Sequence, residues 1–150
     1  MTTPNRTGAQ IFFDVLADLG VTHVFGHTGG AVIPLHVEWN KRLRRGESSP
    51  KFVLCRQEGG AGHAAEGYAR TCGRTGVALA TSGPGATNLI TPIADAYKDS
   101  IPTVFVTGQV PSLAIGSDAF QEVDTLGLTR PISKHNYLVK DVADLEWVLR

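Results

Sequence analysis

Short apolar runs alternate with helical stretches along this chain, and the turns that follow the runs are rich in glycine or charge. Gly76 to Thr81 is the clearest run. It is apolar without polar alternation, as a strand buried on both faces of a sheet requires. Ile101 to Thr107 is a second run of this kind, and Thr22 to Phe25 and Lys51 to Cys55 read as two more. Helices are predicted between them. Thr7 to Gly20 carries Ile11, Phe12, Val15, Leu16 and Leu19 on one stripe, with Thr7 placed to cap its start and Gly20 to stop it. Ala31 to Arg45 holds Pro34 in its first turn, where a missing N–H costs least. Gly59 to Arg70 is crowded with Gly and Ala, which predicts close backbone packing in place of a thick apolar stripe. A further helix carries Leu89, Ile90, Ile93, Ala94 and Tyr97. Strands and helices in this alternation make an α/β fold, an open parallel sheet flanked by helices.

The remaining segments are less regular. Arg42 to Pro50, charged and then serine-rich, reads as a loop, and the overlapping stretch Lys41 to Ser49 is charged and expected to be exposed to solvent. Gly108 to Gln121 is a long irregular stretch, followed by a short helix near Val123 to Leu128 and a last strand at Tyr137-Leu138-Val139. Asp141 or Asp144 opens a final helix that still runs at Arg150, a pattern expected of a piece cut from something longer. With 150 residues, 42% of them hydrophobic, the chain can bury one core, and one domain is the expectation.

Charge and cysteine usage exclude several classes of partner. Fourteen basic residues balance fourteen acidic ones, so the positive footprint of a nucleic-acid binder is missing. Cys55 and Cys72 are too few for a disulfide scaffold and suit a reducing compartment. No run approaches the roughly twenty apolar residues of a membrane helix. Met1 to Arg6 is too short and too weakly basic for a transit peptide, so the expected location is the cytoplasm.

In open parallel sheets, ligands bind beyond the carboxyl ends of the strands. Four segments follow such ends: Gly26 to Gly30, Arg56 to Gly60, Ser82 to Asn88 and Gly108 to Gln121. Gly-Pro-Gly-Ala-Thr-Asn, residues 83 to 88, puts bare backbone at a helix start, where it can receive an anion or the edge of a flat polar ring, or can simply form a tight turn. It is neither a Walker A loop nor a dinucleotide fingerprint. Glu58 is the one carboxylate at a strand end followed at once by two glycines. Partly desolvated there, it could share a proton with a ring nitrogen, or it could serve only as a helix-start acid favoured by the dipole. Histidines 23, 27, 36, 63 and 135 show no metal-ligand spacing, the cysteines form no CxxC pair, and no serine sits in a nucleophile elbow. No metal ligand is predicted.

Taken together, three blocks resemble a known family: Phe25-Gly26 with Gly29-Gly30-Ala31; Glu58 through Gly-Gly-Ala-Gly-His-Ala-Ala-Glu-Gly-Tyr-Ala to Arg70; and Thr81 through Ser-Gly-Pro-Gly-Ala-Thr to Asn88. They are similar to the N-terminal, pyrimidine-binding domain of thiamine-diphosphate-dependent enzymes. Ile101-Pro102, Thr107 to Pro111, Ser117 through Asp-Ala-Phe-Gln to Glu122, and Lys134 to Val139 narrow the resemblance to the acetolactate synthase (acetohydroxyacid synthase) large-subunit family, over almost the whole chain. The resemblance implies a flavodoxin-like domain that packs against the diphosphate-binding domain of a neighbouring subunit. Glu58 matches the family's catalytic glutamate, which hydrogen-bonds the aminopyrimidine ring of the cofactor. Pro84, Gly85 and Asn88 match the loop beside that ring, and Gly29 and Gly30 a segment lining the site. Gln109, Phe120 and Gln121 match residues near the substrate channel.

The reaction implied joins two pyruvates, or pyruvate and 2-oxobutyrate, with loss of carbon dioxide, giving 2-acetolactate or 2-aceto-2-hydroxybutyrate for branched-chain amino-acid synthesis. The cofactors implied are thiamine diphosphate, Mg2+ with its ligands outside this chain, and FAD bound mostly outside it. The partners implied are a homo-oligomer, dimer or tetramer, with the active site between subunits; a regulatory small subunit is left open. The middle and diphosphate-binding domains of the family are absent from these residues, so the isolated chain is expected to be inactive. Thr28 stands where the family usually has Pro. Another thiamine-diphosphate enzyme, such as a sulfoacetaldehyde acetyltransferase or a 2-oxo acid decarboxylase, and a non-catalytic assembly module are the alternative readings.

Overall fold

The computed structural model describes residues 6–150; of the Met1 to Arg6 segment read above, residues 1–5 lie outside the described residues. Four strands, β1 (His23–Gly26), β2 (Lys51–Leu54), β3 (Gly76–Ala80) and β4 (Thr103–Thr107), form one sheet in the order β2-β1-β3-β4. Every pairing is parallel, with Val24 beside Phe52, Phe25 beside Ala78, and Ala78 beside Phe105. The helices are α1 (Gly8–Asp18), α2 (Ile33–Arg45), α3 (Glu58–Cys72), α4 (Pro84–Thr87), α5 (Ile90–Lys98), α6 (Thr125–Thr129) and α7 (Val142–Leu149). The open parallel α/β sheet is as expected.

Side-chain alternation divides the core into two layers. Val24, Val77 and Leu79 point to one face and meet Phe12, Phe13 and Leu16 of α1 and Leu35 and Trp39 of α2. Ala78 and Ala80 point to the other and meet Ala65 of α3 with Leu89 and Ile93. The second layer is thin because its residues are small. A methyl group on Gly76 would lie 2.1 Å from the Ala65 carbonyl oxygen, and one on Gly62 would lie 2.4 Å from Pro92 Cγ. The Gly/Ala composition of α3 thus brings helix backbone onto the sheet, as its sequence predicts.

Local signals set the helix ends. Thr7 and Gln10 form a reciprocal capping box at α1. Leu19 departs from the predicted stripe: α1 stops at Asp18, and Leu19 is exposed at its end while Phe13 joins the core. A short 3-10 turn (Gly30–Val32) precedes α2, which starts two residues later than expected. The helix after the Gly-Pro-Gly turn is interrupted at Asn88 and Leu89 into α4 and α5.

Two expectations are corrected. Lys41 to Arg45 is the last turn of α2, and only residues 46–50 form a loop. Arg42 is buried there: its guanidinium donates to Glu38 Oε1 (3.2 Å), to Asp14 and to the Gln10 carbonyl oxygen (3.2 Å), joining α2 to α1. A charge count sees a solvated run; helical spacing turns one of its arginines inward onto partners that the count cannot see. Tyr137-Leu138-Val139 forms no strand, because no other strand lies beside it to pair with.

One half-buried histidine makes stability depend on pH. His36 of α2 packs edge-on against Phe52 at 4.8 Å, and its Nε2 is buried without a hydrogen-bond partner. Burial pushes its imidazole below the ordinary value of 6.5. The unfolded chain therefore takes up a proton that the folded chain refuses. The resulting stability is present above pH 6.5 and is lost as pH falls toward the lowered folded value. In urea unfolding at pH 7.5 and 5.5, His36→Phe is expected to shrink the difference between the two midpoints; an unchanged difference would remove His36 as its source.

Candidate active site

The sheet order reverses between β1 and β3. From β1 the chain moves outward to β2, then crosses back to begin β3 on the other side of β1. Loops leaving the carboxyl ends on the two sides of such a reversal diverge and open a crevice. The four predicted segments all leave this edge.

Glu58 begins α3, four residues beyond the end of β2. Gln57 caps the helix, its Oε1 accepting from the Gly60 N–H at 2.8 Å, which leaves the Glu58 side chain free to turn inward. That side chain is only 9% exposed, and its Oε2 accepts from Asn88 Nδ2 at 2.9 Å. Among the described residues Oε1 accepts no hydrogen bond. A methyl group at Gly85 would lie 3.3 Å from this oxygen, so the glycine keeps the backbone of α4 close to the carboxylate. Asn88 reaches Glu58 because α4 ends at Thr87, directing the next side chain back across to α3.

Thr81 joins the two sides of the crevice. Its Oγ1 accepts from the Ala31 N–H at 3.3 Å. A methyl group on Gly29 would lie 2.4 Å from Thr81 Cβ, and one on Gly85 would lie 2.7 Å from Thr81 Cγ2. The first loop and the Gly-Pro-Gly turn therefore close on one side chain. No site role was predicted for Thr81; the available signal was its place as the polar residue ending an otherwise apolar run. His27 adds a second tie, its Nδ1 lying 2.7 Å from the Cys55 carbonyl oxygen.

The other predicted residues divide. Gln121 is brought to the Gly83 turn: Gly83 has φ +55°, and a methyl group there would lie 2.5 Å from the Gln121 carbonyl oxygen. Glu122 stabilises the return of this segment by accepting from the Gly116 and Ala119 N–H groups; these bonds, Gly116 first, hold its carboxyl below the ordinary range. Gln109 instead uses its Oε1 to accept from the Val110 N–H at 2.8 Å. Phe120 is 88% exposed. Pro84 is exposed at the start of α4, and nothing lies within 4 Å of the position a Cβ would take at Gly30.

One group of metal-capable side chains occurs among the described residues: His63 and Glu66 of α3 with Asp95 of α5. Residue spacing alone did not reveal it, because Asp95 belongs to a different helix. Glu66 is already engaged by Arg70, whose Nη2 donates to its Oε1 at 2.7 Å. Burial alone would push the Glu66 carboxyl up, but the bonds from Arg70 and His63 outweigh it and hold it below its ordinary value.

A shielded carboxylate with one oxygen held and the other unpaired, on a wall of glycine and alanine, can accept a hydrogen bond from a ring nitrogen of a flat heterocycle brought in edge-on. The family model described as thiamine pyrophosphate enzyme, N-terminal TPP binding domain, matches residues 6–128, and the chain belongs to this family. It is therefore a thiamine-pyrophosphate-binding domain. Within that class it resembles acetolactate synthase large subunits. It is 52% identical over 139 residues to the acetolactate synthase of Arthrospira platensis, covering 93% of this chain and 24% of that protein. It is 54% identical over 145 residues to the acetolactate synthase of Mycobacterium bovis, covering 95% of this chain and 22% of that one. The acetolactate synthase large subunit of Lactococcus lactis is 49% identical over 139 residues, covering 93% and 23%. The chain thus spans about a quarter of the length of the curated relatives it matches. No helix among the described residues is long and apolar enough to cross a membrane.

Proposed function

We propose that residues 1–150 are the pyrimidine-binding domain of an acetolactate synthase that condenses two pyruvates, or pyruvate and 2-oxobutyrate, with loss of carbon dioxide. The observation that carries this reading is the Glu58 carboxylate, held by Asn88 through Oε2 and unpaired at Oε1 beside Gly85. In this reading the middle and diphosphate-binding domains belong to polypeptide outside these residues, as do the Mg2+ ligands and most of the FAD contacts. The complete polypeptide works in the cytoplasm as a dimer or tetramer whose active site lies between subunits.

Bound thiamine diphosphate supplies the nucleophilic carbon that adds to the oxo-acid carbonyl. The residues of this chain hold and polarise. Glu58 Oε1 shares a proton with a ring nitrogen of the aminopyrimidine. Asn88 holds Oε2, and Oε1 would be the oxygen left to meet a ring nitrogen. Gly85 and Gly29, closed on Thr81, leave the ring room to approach. Pro84 sets the direction of the turn and Gly30 leaves the first loop open. Gln121, seated against Gly83, brings the Gln109 to Gln121 segment to the mouth of the site, where Gln109 and the exposed Phe120 border the substrate path.

Product analysis tests this reading. The complete polypeptide, supplied with thiamine diphosphate, Mg2+, FAD and pyruvate, is expected to form acetolactate. Acetaldehyde would assign a decarboxylase, and no consumption of pyruvate would leave a non-catalytic module. The 150-residue chain alone is expected to turn over nothing.

A further inference from the structure

Where β1 and β2 end, their parallel ladder keeps one more rung: Cys55 N–H donates to the Gly26 carbonyl oxygen at 2.8 Å. In a parallel pair the N–H and C=O of one residue bond to two partner residues that lie two apart. With His23 beside Lys51 and Gly26 beside Leu54, the Cys55 carbonyl is due the Thr28 N–H. β1 stops at Gly26, and Thr28 N–H donates to no backbone carbonyl among the described residues. The imidazole of His27 fills the position instead, its Nδ1 lying 2.7 Å from the Cys55 carbonyl oxygen.

A carbonyl oxygen only accepts, so the proton between the two groups belongs to Nδ1. The neutral imidazole protonated at Nδ1 and the imidazolium both carry it, and the bond survives a change of charge. His27 N–H meanwhile donates to the Leu79 carbonyl oxygen at 3.3 Å, so one residue engages β3 through its main chain and the end of β2 through its side chain. The chain from Thr28 is thereby released from the sheet and turns toward Ala31, whose N–H is held by Thr81 Oγ1. On the other side, Cys55 stands three residues before Glu58, and residues 55–57 form neither helix nor strand. His27 holds this connection at its near end, and Gln57, capping α3, holds it at its far end.

We propose that His27 is a positioning residue: its Nδ1–H replaces the missing rung from Thr28, letting the first loop turn into the crevice while the connection that delivers Glu58 stays fixed. The inference deepens the proposed function and rests on it, since the carboxylate being positioned is the one that meets the cofactor ring there. His27 acts through the Cys55 carbonyl and takes no proton from substrate or cofactor. A backbone bond from Thr28 would serve Cys55 equally well, but it would extend β1 by two residues and hold Thr28 in the sheet, drawing Gly29 away from Thr81. A side-chain donor removes that conflict. It satisfies the carbonyl and leaves the main chain free to turn.

Three variants of the complete polypeptide test the assignment, read by turnover of pyruvate and by hydrogen–deuterium exchange resolved to single residues. His27→Leu, which fills the space without a donor, is expected to lower kcat about 10- to 100-fold with little change in KM for pyruvate, as a small misplacement of a catalytic group does. The Cys55 amide, on the neighbouring rung, should exchange about 10-fold faster or more. His27→Asn places an N–H where Nδ1 stands, and is expected to bring both values back to within a few-fold of the parent. Its pH–rate profile should keep the parent's shape, because asparagine donates without titrating. His27→Phe, also donorless, takes the place of His27→Leu if the latter does not fold. The proposal is overturned if the donorless variant matches the parent in kcat and exchange, or if His27→Asn does no better than the donorless variant. A changed pH profile in His27→Asn would overturn it too, by making titration of the imidazole the function. So would two unfolded donorless variants beside a folded His27→Asn, which would leave the bond a structural one. Faster Cys55 exchange in His27→Leu, reversed in His27→Asn, in a polypeptide that forms no acetolactate would keep the hold on this connection and refute the proposed function. Acetolactate formed by His27→Leu at the parent's rate would do the reverse.

Discussion

Replacing Glu58 with glutamine in the complete polypeptide is expected to slow turnover of pyruvate by about 10²- to 10⁴-fold, the range usual for the loss of a positioned acid–base group. The fold should survive, because a glutamine Oε1 can still accept from Asn88 Nδ2 and occupies the same volume beside Gly85. What is lost is the negative oxygen able to share a proton with the ring. Acetolactate should remain the product, formed slowly, with thermal unfolding close to that of the unsubstituted enzyme. A rate within a few-fold of the original would show that Glu58 is only a helix-start acid. Glu58→Asp, which keeps the charge but withdraws it by one methylene, is expected to fall between the two.

Gly76→Ala is expected to be the most damaging small substitution in the core. The added methyl group would sit 2.1 Å from the Ala65 carbonyl oxygen and 2.7 Å from its carbon, and both are backbone atoms that cannot rotate away. Relief requires α3 to lift from β3, which would also move Glu58 at the start of that helix. Overpacking usually costs about 1–3 kcal/mol, and a clash with backbone belongs at the upper end. At this chain length that corresponds to a melting temperature lower by about 10 °C. Gly67→Ala, on the same helix with nothing within 4 Å, is the matched control and is expected to stabilise by about 0.5–1 kcal/mol through reduced chain entropy. Denaturant midpoints of the two variants should move in opposite directions; if Gly76→Ala stays within about 0.5 kcal/mol of the parent, the close approach of α3 to β3 does not constrain the sheet.

Much of this architecture was legible in local pattern. An unalternating apolar run such as Gly76 to Thr81 has only one comfortable place, inside a parallel sheet, and all five residues of β3 are buried. Thr7 and Gln10 mark the start of α1 through bonds between neighbours in sequence. Glu58 stood out because a carboxylate followed by two glycines at a strand end is uncommon. Arg42, by contrast, was read as solvated although it is buried against Glu38 and Asp14, since its Asp14 partner lies on a helix 28 residues away. The cluster of His63 and Glu66 with Asp95 was hidden for the same reason.

Periodicity, capping residues and glycine placement are short-range properties, so the sequence alone determined the succession of elements, the parallel α/β class and the candidacy of Glu58. The contact that gives Glu58 one held oxygen spans thirty residues to Asn88, the closure of Gly29 and Gly85 on Thr81 spans two loops, and the absence of a strand at Tyr137 to Val139 depends on a neighbour that no local pattern describes. Tertiary structure decided these, because hydrogen bonding and close packing depend on which segments meet in space, and propensity sets only what each segment can become.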